Sequence, residues 1–211
     1  MEFEVWLAFA VATAVLVAIP GPTVMLVVSY VLSLGRGSAW ATIPGVALGD
    51  FTAMTASLAG AGAIMATSAI LFSTVKFAGA IYLIWLGIKL WRSAPPLADL
   101  PAESSNENDA GQSFKSLFWK AYIVTALNPK GMVFFVAFVP QFVNQSAPVM
   151  PQFVILVITF VVLATINVVL WSQLTGSLRR YLERPGFLQW VNRTGATFLV
   201  GAGLITATIK Q

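Results

Sequence analysis

The sequence predicts an all-α integral membrane protein with six transmembrane helices. They form two inverted three-helix repeats, with helices 1 and 4 broken at prolines. Three observations lead there. The 211 residues are 58% apolar and only 9% charged, with a mean hydropathy of +0.83, whereas a soluble domain carries about 25% charged residues. Too little polar surface remains to coat a water-soluble globule. Apolar runs of spanning length recur along the chain. Two of these runs are interrupted, at Pro20-Gly21-Pro22 and at Asn128-Pro129-Lys130.

The spans follow from the apolar runs and the polar residues between them. Helix 1 is expected over about 5–33, helix 2 over about 39–61 and helix 3 over about 66–90. Helix 4 is expected over about 114–142, helix 5 over about 152–174 and helix 6 over about 191–209. Between helices 2 and 3 no charge marks a turn; only Gly60, Gly62 and Ser68 hint at one. The hydrophilic stretch 93–113, with Pro95, Pro96 and Pro101 among Asp, Glu, Ser and Asn, reads as a disordered linker. It divides a single transmembrane domain, 1–211, into repeat 1 (1–92) and repeat 2 (114–211). The start Met1-Glu2-Phe3-Glu4 has no basic n-region, so the first run is expected to stay as a helix rather than be cleaved.

Each proline ring removes a backbone donor and clashes with the preceding turn. In hydrocarbon, broken backbone survives only where it is packed in protein or lines a cavity. Asn128 is a good N-cap and Pro129 suits a first helical position, so helix 4 should restart there. Gly21 and Pro22 should restart helix 1 in the same way. A helix N-terminus offers unpaired N–H groups and partial positive charge. With inverted halves, the two restarts would approach the bilayer midplane from opposite sides.

Evidence for the repeat is internal. Gly79, Ala80, Leu83 and Gly87 match Gly195, Ala196, Leu199 and Gly203, each 116 residues later, and Asp50 matches Asn167, 117 residues later. An odd number of helices per copy inverts the second copy, a common transporter plan with the site at the repeat interface. In helix 2 the small residues Ala41, Gly45, Gly49, Ala53, Ser57 and Ala61 recur every four positions, which admits a second helix at close range. Gly79, Gly87, Gly195 and Gly203 should do likewise. Trp6, Trp40, Trp91, Trp119 and Trp190 fall near predicted interfaces, as amphipathic rings should.

Orientation follows from basic loop residues. Arg36, then Lys89, Arg92, Lys115 and Lys120, then Arg179, Arg180 and Arg184 fall on one side. That side is expected to be cytoplasmic, together with the linker. The N- and C-termini are expected outside.

Asp50, Lys76 and Lys130 are predicted inside spans. A charge at mid-bilayer costs about 2.5–3.5 kcal/mol, so three in a chain this poor in charge require a reason. One is a structural ion pair between Asp50 and a lysine, which leaves a lysine over. The other is a site for an anionic or zwitterionic ligand. Lys130 falls in the first turn of its half-helix, where the dipole disfavours a cation, and a visiting anion would offset this. Lys130 and half-helix N–H groups would then hold a carboxylate. Asp50 would take an ammonium group or carry a proton, and Thr23, Asn128 and Asn167 would add hydrogen bonds.

Other chemistries are poorly served. The chain has no cysteine and no histidine, which excludes disulfides, thiolate chemistry and His-based catalysis. No phosphate-cradling loop precedes a Lys-Ser/Thr, and no Gly-x-Ser-x-Gly elbow is present. The net charge of +4 is spread over short loops with no stacking platform for nucleic acid. An enzyme is not expected, nor a cofactor.

The motifs Pro20-Gly21-Pro22, Gly45-Val46-Ala47-Leu48-Gly49-Asp50, Lys76-Phe77-Ala78-Gly79-Ala80-Ile81-Tyr82-Leu83 with Gly87, and Leu127-Asn128-Pro129-Lys130 occur in this order and spacing. In them the chain resembles the LysE/RhtB-type amino-acid exporter family across nearly its full length. The resemblance implies a multi-pass exporter of amino acids or related amines in the bacterial inner membrane, driven by an ion gradient. It places the family's motif positions on Pro20, Pro22, Asp50, Lys76, Asn128, Pro129 and Lys130. It does not imply which cargo is carried.

The expected function is secondary active export of an amino acid or derivative from the cytoplasm by proton antiport, with Asp50 as the proton-coupling group. The expected substrate site comprises Pro20, Gly21, Pro22, Thr23, Asp50, Lys76, Asn128, Pro129, Lys130 and Asn167. The expected partners are a small amino-acid-like substrate, protons and membrane lipids, and a homodimer is left open. Two alternatives are export of a cation or other small metabolite, and a membrane scaffold with no flux of its own.

Overall fold

The computed structural model describes residues 1–92, 113–144, 146–177 and 185–208. All regular structure among these residues is helical. In chain order the helices are α1 (Phe3–Ala18), α2 (Pro22–Leu34), α3 (Ala39–Thr67), α4 (Ala69–Arg92), α5 (Phe114–Ala126), α6 (Pro129–Val133), α7 (Val149–Ser177) and α8 (Pro185–Thr208).

The first apolar run is two helices, α1 and α2, bent by 50° at the break. Gly21 is extended there, and Pro22 opens α2 in its first turn. The second run breaks at Leu127-Asn128. The Asn128 Oδ1 accepts from the Lys130 backbone N–H at 3.1 Å and caps α6. The run then widens into a π-type turn, Phe134–Phe138, and ends as a 3-10 turn, Val139–Phe142.

By length and composition, three helical runs among the described residues are able to cross a bilayer: Ser73–Arg92, Phe114–Phe142 and Val149–Thr175. The bent pair α1–α2 makes a fourth. At 1.5 Å per residue α3 and α8 are about 43 and about 36 Å long, but α3 carries Asp50 among many Gly, Ala and Thr, and α8 carries Asn192 and Arg193. Apolarity alone thus accounts for four of the six predicted spans.

The boundary between predicted helices 2 and 3 falls later than expected. Gly60 and Gly62 stay helical, and α3 runs on to Thr67. The turn is Ser68, whose N–H donates to Ile64 O at 2.9 Å and whose Oγ accepts from Leu71 N at 3.1 Å, closing one helix and opening the next. Helix 6 begins earlier than expected, at Pro185, since proline suits a first turn with no donor to lose. The predicted linker 93–113 lies outside the described residues except for Ser113, whose Oγ accepts from Ser116 N at 3.3 Å and caps α5. Arg179, Arg180, Arg184 and Lys210 also lie outside them.

The two most extensive helix pairings are α4 with α8 and α3 with α5, and both depend on glycine. A Cβ on Gly45 would collide with the Phe118 carbonyl, and one on Gly49 would lie 2.8 Å from Thr125 Cβ. A Cβ on Gly87 would meet the Ala196 carbonyl at 2.8 Å, and one on Gly203 would meet the Ala80 carbonyl at 2.8 Å. These last two contacts are images of one another, because Gly87 matches Gly203 and Ala80 matches Ala196. The earlier residue of one helix meets the later residue of the other, so α4 and α8 run antiparallel and cross about a local two-fold axis.

The core is aromatic on one side. Phe134, Phe135 and Phe138 are buried with Phe9 and Phe160, and the Phe135 and Phe160 rings meet edge-on at 4.6 Å. Outward faces are apolar too: Ile158, Val162, Ile166 and Leu170 form an exposed stripe on α7. That surface suits acyl chains rather than water. Trp40 and Trp190 are exposed, while the Trp6 Nε1–H donates to Thr159 Oγ1 at 3.0 Å and pins α1 to α7.

Substituting Gly87 with leucine is expected to lower the stability of the detergent-solubilised protein by about 1–3 kcal/mol, the usual cost of overpacking. Gly60→Ala, where no atom lies within 4 Å of the added Cβ, is expected to leave the melting temperature unchanged or raised. Thermal unfolding of the two variants side by side checks this.

Candidate functional site

The site begins with missing donors. In an unbroken helix the Leu16 carbonyl would accept from the residue-20 N–H and the Ala18 carbonyl from the residue-22 N–H. Both positions are proline, and the bend at Gly21 opens the turn further. The α1 C-terminus therefore presents carbonyls to the protein interior. The Lys130 Nζ donates to Leu16 O at 3.2 Å and to Ile19 O at 3.0 Å. The Asn167 Nδ2 donates to Val17 O at 2.8 Å. Each donor comes from the second half of the chain. A cation at a helix C-terminus is also favoured by the dipole, so α1 accounts for the placement of Lys130 without a bound anion. Gly21 makes room: a Cβ there would lie 3.3 Å from Lys130 Nζ.

The second break touches the first from the other direction. The Asn128 Nδ2 donates to Thr23 Oγ1 at 3.3 Å, and the Thr125 hydroxyl donates to the same oxygen at 3.3 Å. Thr23 lies in the first turn of α2 and is buried. The two proline breaks are thus in direct contact, and every one of these donors comes from the second half of the chain.

Two cavities flank this junction. A small chamber of about 50 Å³ is lined by Gly21, Thr23, Asp50, Asn128, Lys130 and Asn167, with apolar walls from α1, α3 and α7. One water-sized sphere needs about 10–15 Å³, so the chamber has room for a few waters. A wider cavity of about 430 Å³ includes Pro20, Gly21, Pro22, Asn128, Pro129 and Lys130 in its lining. It continues along α4 and α8 past Tyr82, Trp85, Lys89 and Asn192. Gly21, Asn128 and Lys130 border both, so the Lys130 side chain stands in the partition between them.

Nine of the ten residues singled out from the sequence therefore border one cavity or the other. Lys76 borders neither. It is buried, with its ammonium 5.2 Å from the centre of the Phe77 ring. Tyr82, Trp85, Lys89 and Asn192 were not anticipated as cavity residues. For Asn192 a signal existed: the repeat offset that carries Gly79 to Gly195 carries Lys76 to Asn192.

The face onto which the wider cavity runs is marked by charge. Lys89 and Arg92 close α4, and the Arg193 guanidinium lies 5.6 Å from the Trp91 ring centre, which joins the start of α8 to the end of α4. Separately, the Arg36 guanidinium donates to Gln173 O at 3.4 Å, which brings the end of α2 to the end of α7.

Comparison with known proteins gives a consistent picture. A family model described as LysE type translocator matches residues 14–208. An uncharacterised membrane protein of Vibrio cholerae is 32% identical over the whole of both chains, 100% of each. A homoserine/homoserine lactone efflux protein of Salmonella typhi is 32% identical, with 98% of each chain covered. An uncharacterised membrane protein of Bacillus subtilis is 29% identical over 95% of this chain and 97% of its own. No solved structure matches.

If Lys130 serves the carbonyl that Pro20 leaves open, the two positions are energetically coupled. Lys130→Met is expected to destabilise the protein by about 1–3 kcal/mol, the cost of leaving buried acceptors unpaired. Pro20→Ala restores an N–H four residues after Leu16 and is expected to recover part of that loss. A double-mutant cycle by thermal unfolding should give a coupling of at least about 0.5 kcal/mol.

Proposed function

We propose, from the premise that this chain belongs to the LysE type translocator family, that it exports a small amino acid or amino-acid derivative from the bacterial cytoplasm in exchange for protons. The chain is a membrane transporter and not an enzyme. The observation that carries the finer reading is the junction itself. Two broken helices meet around a carboxylate, an amine and two carboxamides, with a cavity on either side. A cargo with a carboxylate and an ammonium group finds an opposite partner for each in Lys130 and Asp50.

In the proposed architecture six helices form two inverted repeats in the inner membrane. The antiparallel crossing of α4 and α8, with its exchanged glycine contacts, supports this arrangement. So does the way side chains of the second half answer the broken backbone of the first. The termini face outward, and the basic ends of α2 and α4 face the cytoplasm. The wider cavity is then the cytoplasmic entrance, and its volume lies within the range of about 300–1,000 Å³ typical of small-molecule sites.

The proposed cycle starts with cargo entering from that side. Its carboxylate draws Lys130 away from the Leu16 and Ile19 carbonyls, and the half-helix N–H groups near Gly21 and Asn128 add hydrogen bonds. Withdrawal of Lys130 opens the partition, and the ammonium of the cargo reaches Asp50. Rocking of the two halves exposes the chamber outward, where protonation of Asp50 releases the ammonium. Return of the proton to the cytoplasm resets the carrier. The Salmonella relative is named for efflux of homoserine, an amino acid of this chemical kind, and of its lactone, in which the carboxyl is esterified.

A second reading has one observation in its favour. The bonds of Lys130 and Asn167 to α1 carbonyls are sufficient reason for both residues in a protein that carries nothing. Transport separates the two readings. In liposomes, Asp50→Asn is expected to lower proton-driven export at least about tenfold, a change equivalent to 1.4 kcal/mol. Its gradient-independent counterflow of the same amino acid is expected to persist with a raised KM, because Lys130 and the half-helix N–H groups still hold the carboxylate while the ammonium has lost its partner. Equal driven export by the wild type and the variant would remove Asp50 from coupling. No flux of any amino acid would favour the inert reading.

A further inference from the structure

We infer that Asn192 is the selectivity residue of the wider cavity, reading a neutral hydrogen-bonding group on the side chain of the cargo. This rests on the amino-acid export proposed above and adds which side chains are accepted.

Asn192 is 1% exposed, and neither its Nδ2 nor its Oδ1 has a hydrogen-bond partner among the described residues. Buried polar groups are nearly always paired, and each exception asks for an explanation. An apolar side chain on α8 would avoid the desolvation penalty, so packing does not explain an asparagine. Its place in the lining of the wider cavity does. A carboxamide offers two donors and one acceptor. A hydroxyl, a carbonyl or another carboxamide satisfies it, and an aliphatic chain does not.

The rest of the lining narrows the class further. Lys89 and Lys130 contribute amines, and no carboxylate borders this cavity among the described residues. The Lys89 ammonium lies 5.1 Å from the Trp85 ring centre, within the same wall. An α-carboxylate is welcome near these amines. A cationic side chain such as that of lysine or ornithine meets like charge, with no carboxylate among the described lining residues to offset it. The cargo class is therefore an α-amino acid, or its derivative, with a short neutral polar side chain.

The repeat sharpens the assignment. Lys76, at the equivalent position of the first half, is buried against Phe77 and borders neither cavity. Only the second-half copy borders space large enough for a cargo. The pseudo-symmetry is broken where selection would take place.

The test uses the full-length protein in liposomes with three probes: homoserine, norvaline, which replaces the hydroxyl of homoserine by a methyl group, and ornithine. The wild type is expected to export homoserine in preference to both others. Asn192→Leu is expected to reduce the homoserine-to-norvaline ratio at least about tenfold, since a site built to bond a hydroxyl discriminates strongly against its absence. Its melting temperature is expected to hold or rise, because an unpaired buried amide has been replaced by an apolar group. Asn192→Ser, which keeps a donor and an acceptor, is expected to retain part of the preference. An unchanged ratio in Asn192→Leu overturns the inference while export stands. A wild type that moves homoserine and norvaline equally also overturns it, without recourse to any variant. A wild type that moves no amino acid defeats the export reading and this inference together.

Discussion

Backbone carbonyls at the end of α1 have no amide to receive, and they lie where no bulk water can serve them. That constraint shapes the centre of the molecule. Pro20 and Pro22 remove two donors from the register, and the 50° bend at Gly21 opens the remaining turn. Unpaired acceptors in hydrocarbon cost several kcal/mol each, so polar side chains have to be brought to them. They come from far along the chain. Lys130 crosses from α6 and Asn167 from the middle of α7. The break is therefore the means by which two halves of the sequence are held together at their least apolar point. A chamber lined by Asp50, Lys130 and Asn167 follows from this, since donors that reach a broken helix cannot also be packed as aliphatics.

The glycine crossings provide the frame around that point. Where α3 meets α5, and where α4 meets α8, backbones approach closely enough that a single methyl group would strike a carbonyl or a neighbouring side chain. Between lipid-facing helices no hydrophobic gradient favours contact, and close van der Waals packing takes its place. The α4–α8 crossing is near-symmetric, with Gly87 on Ala196 and Gly203 on Ala80. The chemistry set around it is not. Asp50 has Asn167 as its counterpart, and Lys76 has Asn192. In the proposed inverted-repeat architecture, unlike residues at matched positions would give two related arrangements of one fold a different ligand surface each.

Much of the fold was legible in the sequence, for identifiable reasons. Proline leaves a local signature, so both breaks are legible to the residue, and Asn128 is legible as a cap because its short side chain reaches the N–H two residues on. The stripe of small residues in α3 pointed to close packing without saying against which helix. The turn at Ser68 was poorly read because glycines compete with it: Gly60 and Gly62 are weak helix formers in water, yet they remain helical here. The partners of Lys130 were not legible. Its first-turn position implied an unfavourable dipole, and only the fold brings the C-terminus of α1 to its ammonium. Lys76 was read as a site residue because a buried charge asks for a reason, and its ammonium over the Phe77 ring supplies part of one. Asn192 was passed over because one asparagine near a helix end is unremarkable until burial and the lack of a partner are seen together.

The same bonds that close the break also suit a carrier. A conformational change is driven only by a difference in affinity between two states. The ammonium of Lys130 holds two neutral carbonyls, and a carboxylate is a stronger acceptor for the same donor. Exchange of one for the other leaves α1 with open carbonyls, a strain that a new packing of the halves can relieve. A fully satisfied apolar junction would have no such alternative, and a junction closed by a tight ion pair would resist exchange. Neutral acceptors held by a displaceable cation lie between these extremes. In the proposed cycle the cargo itself supplies the differential interaction that selects the second state.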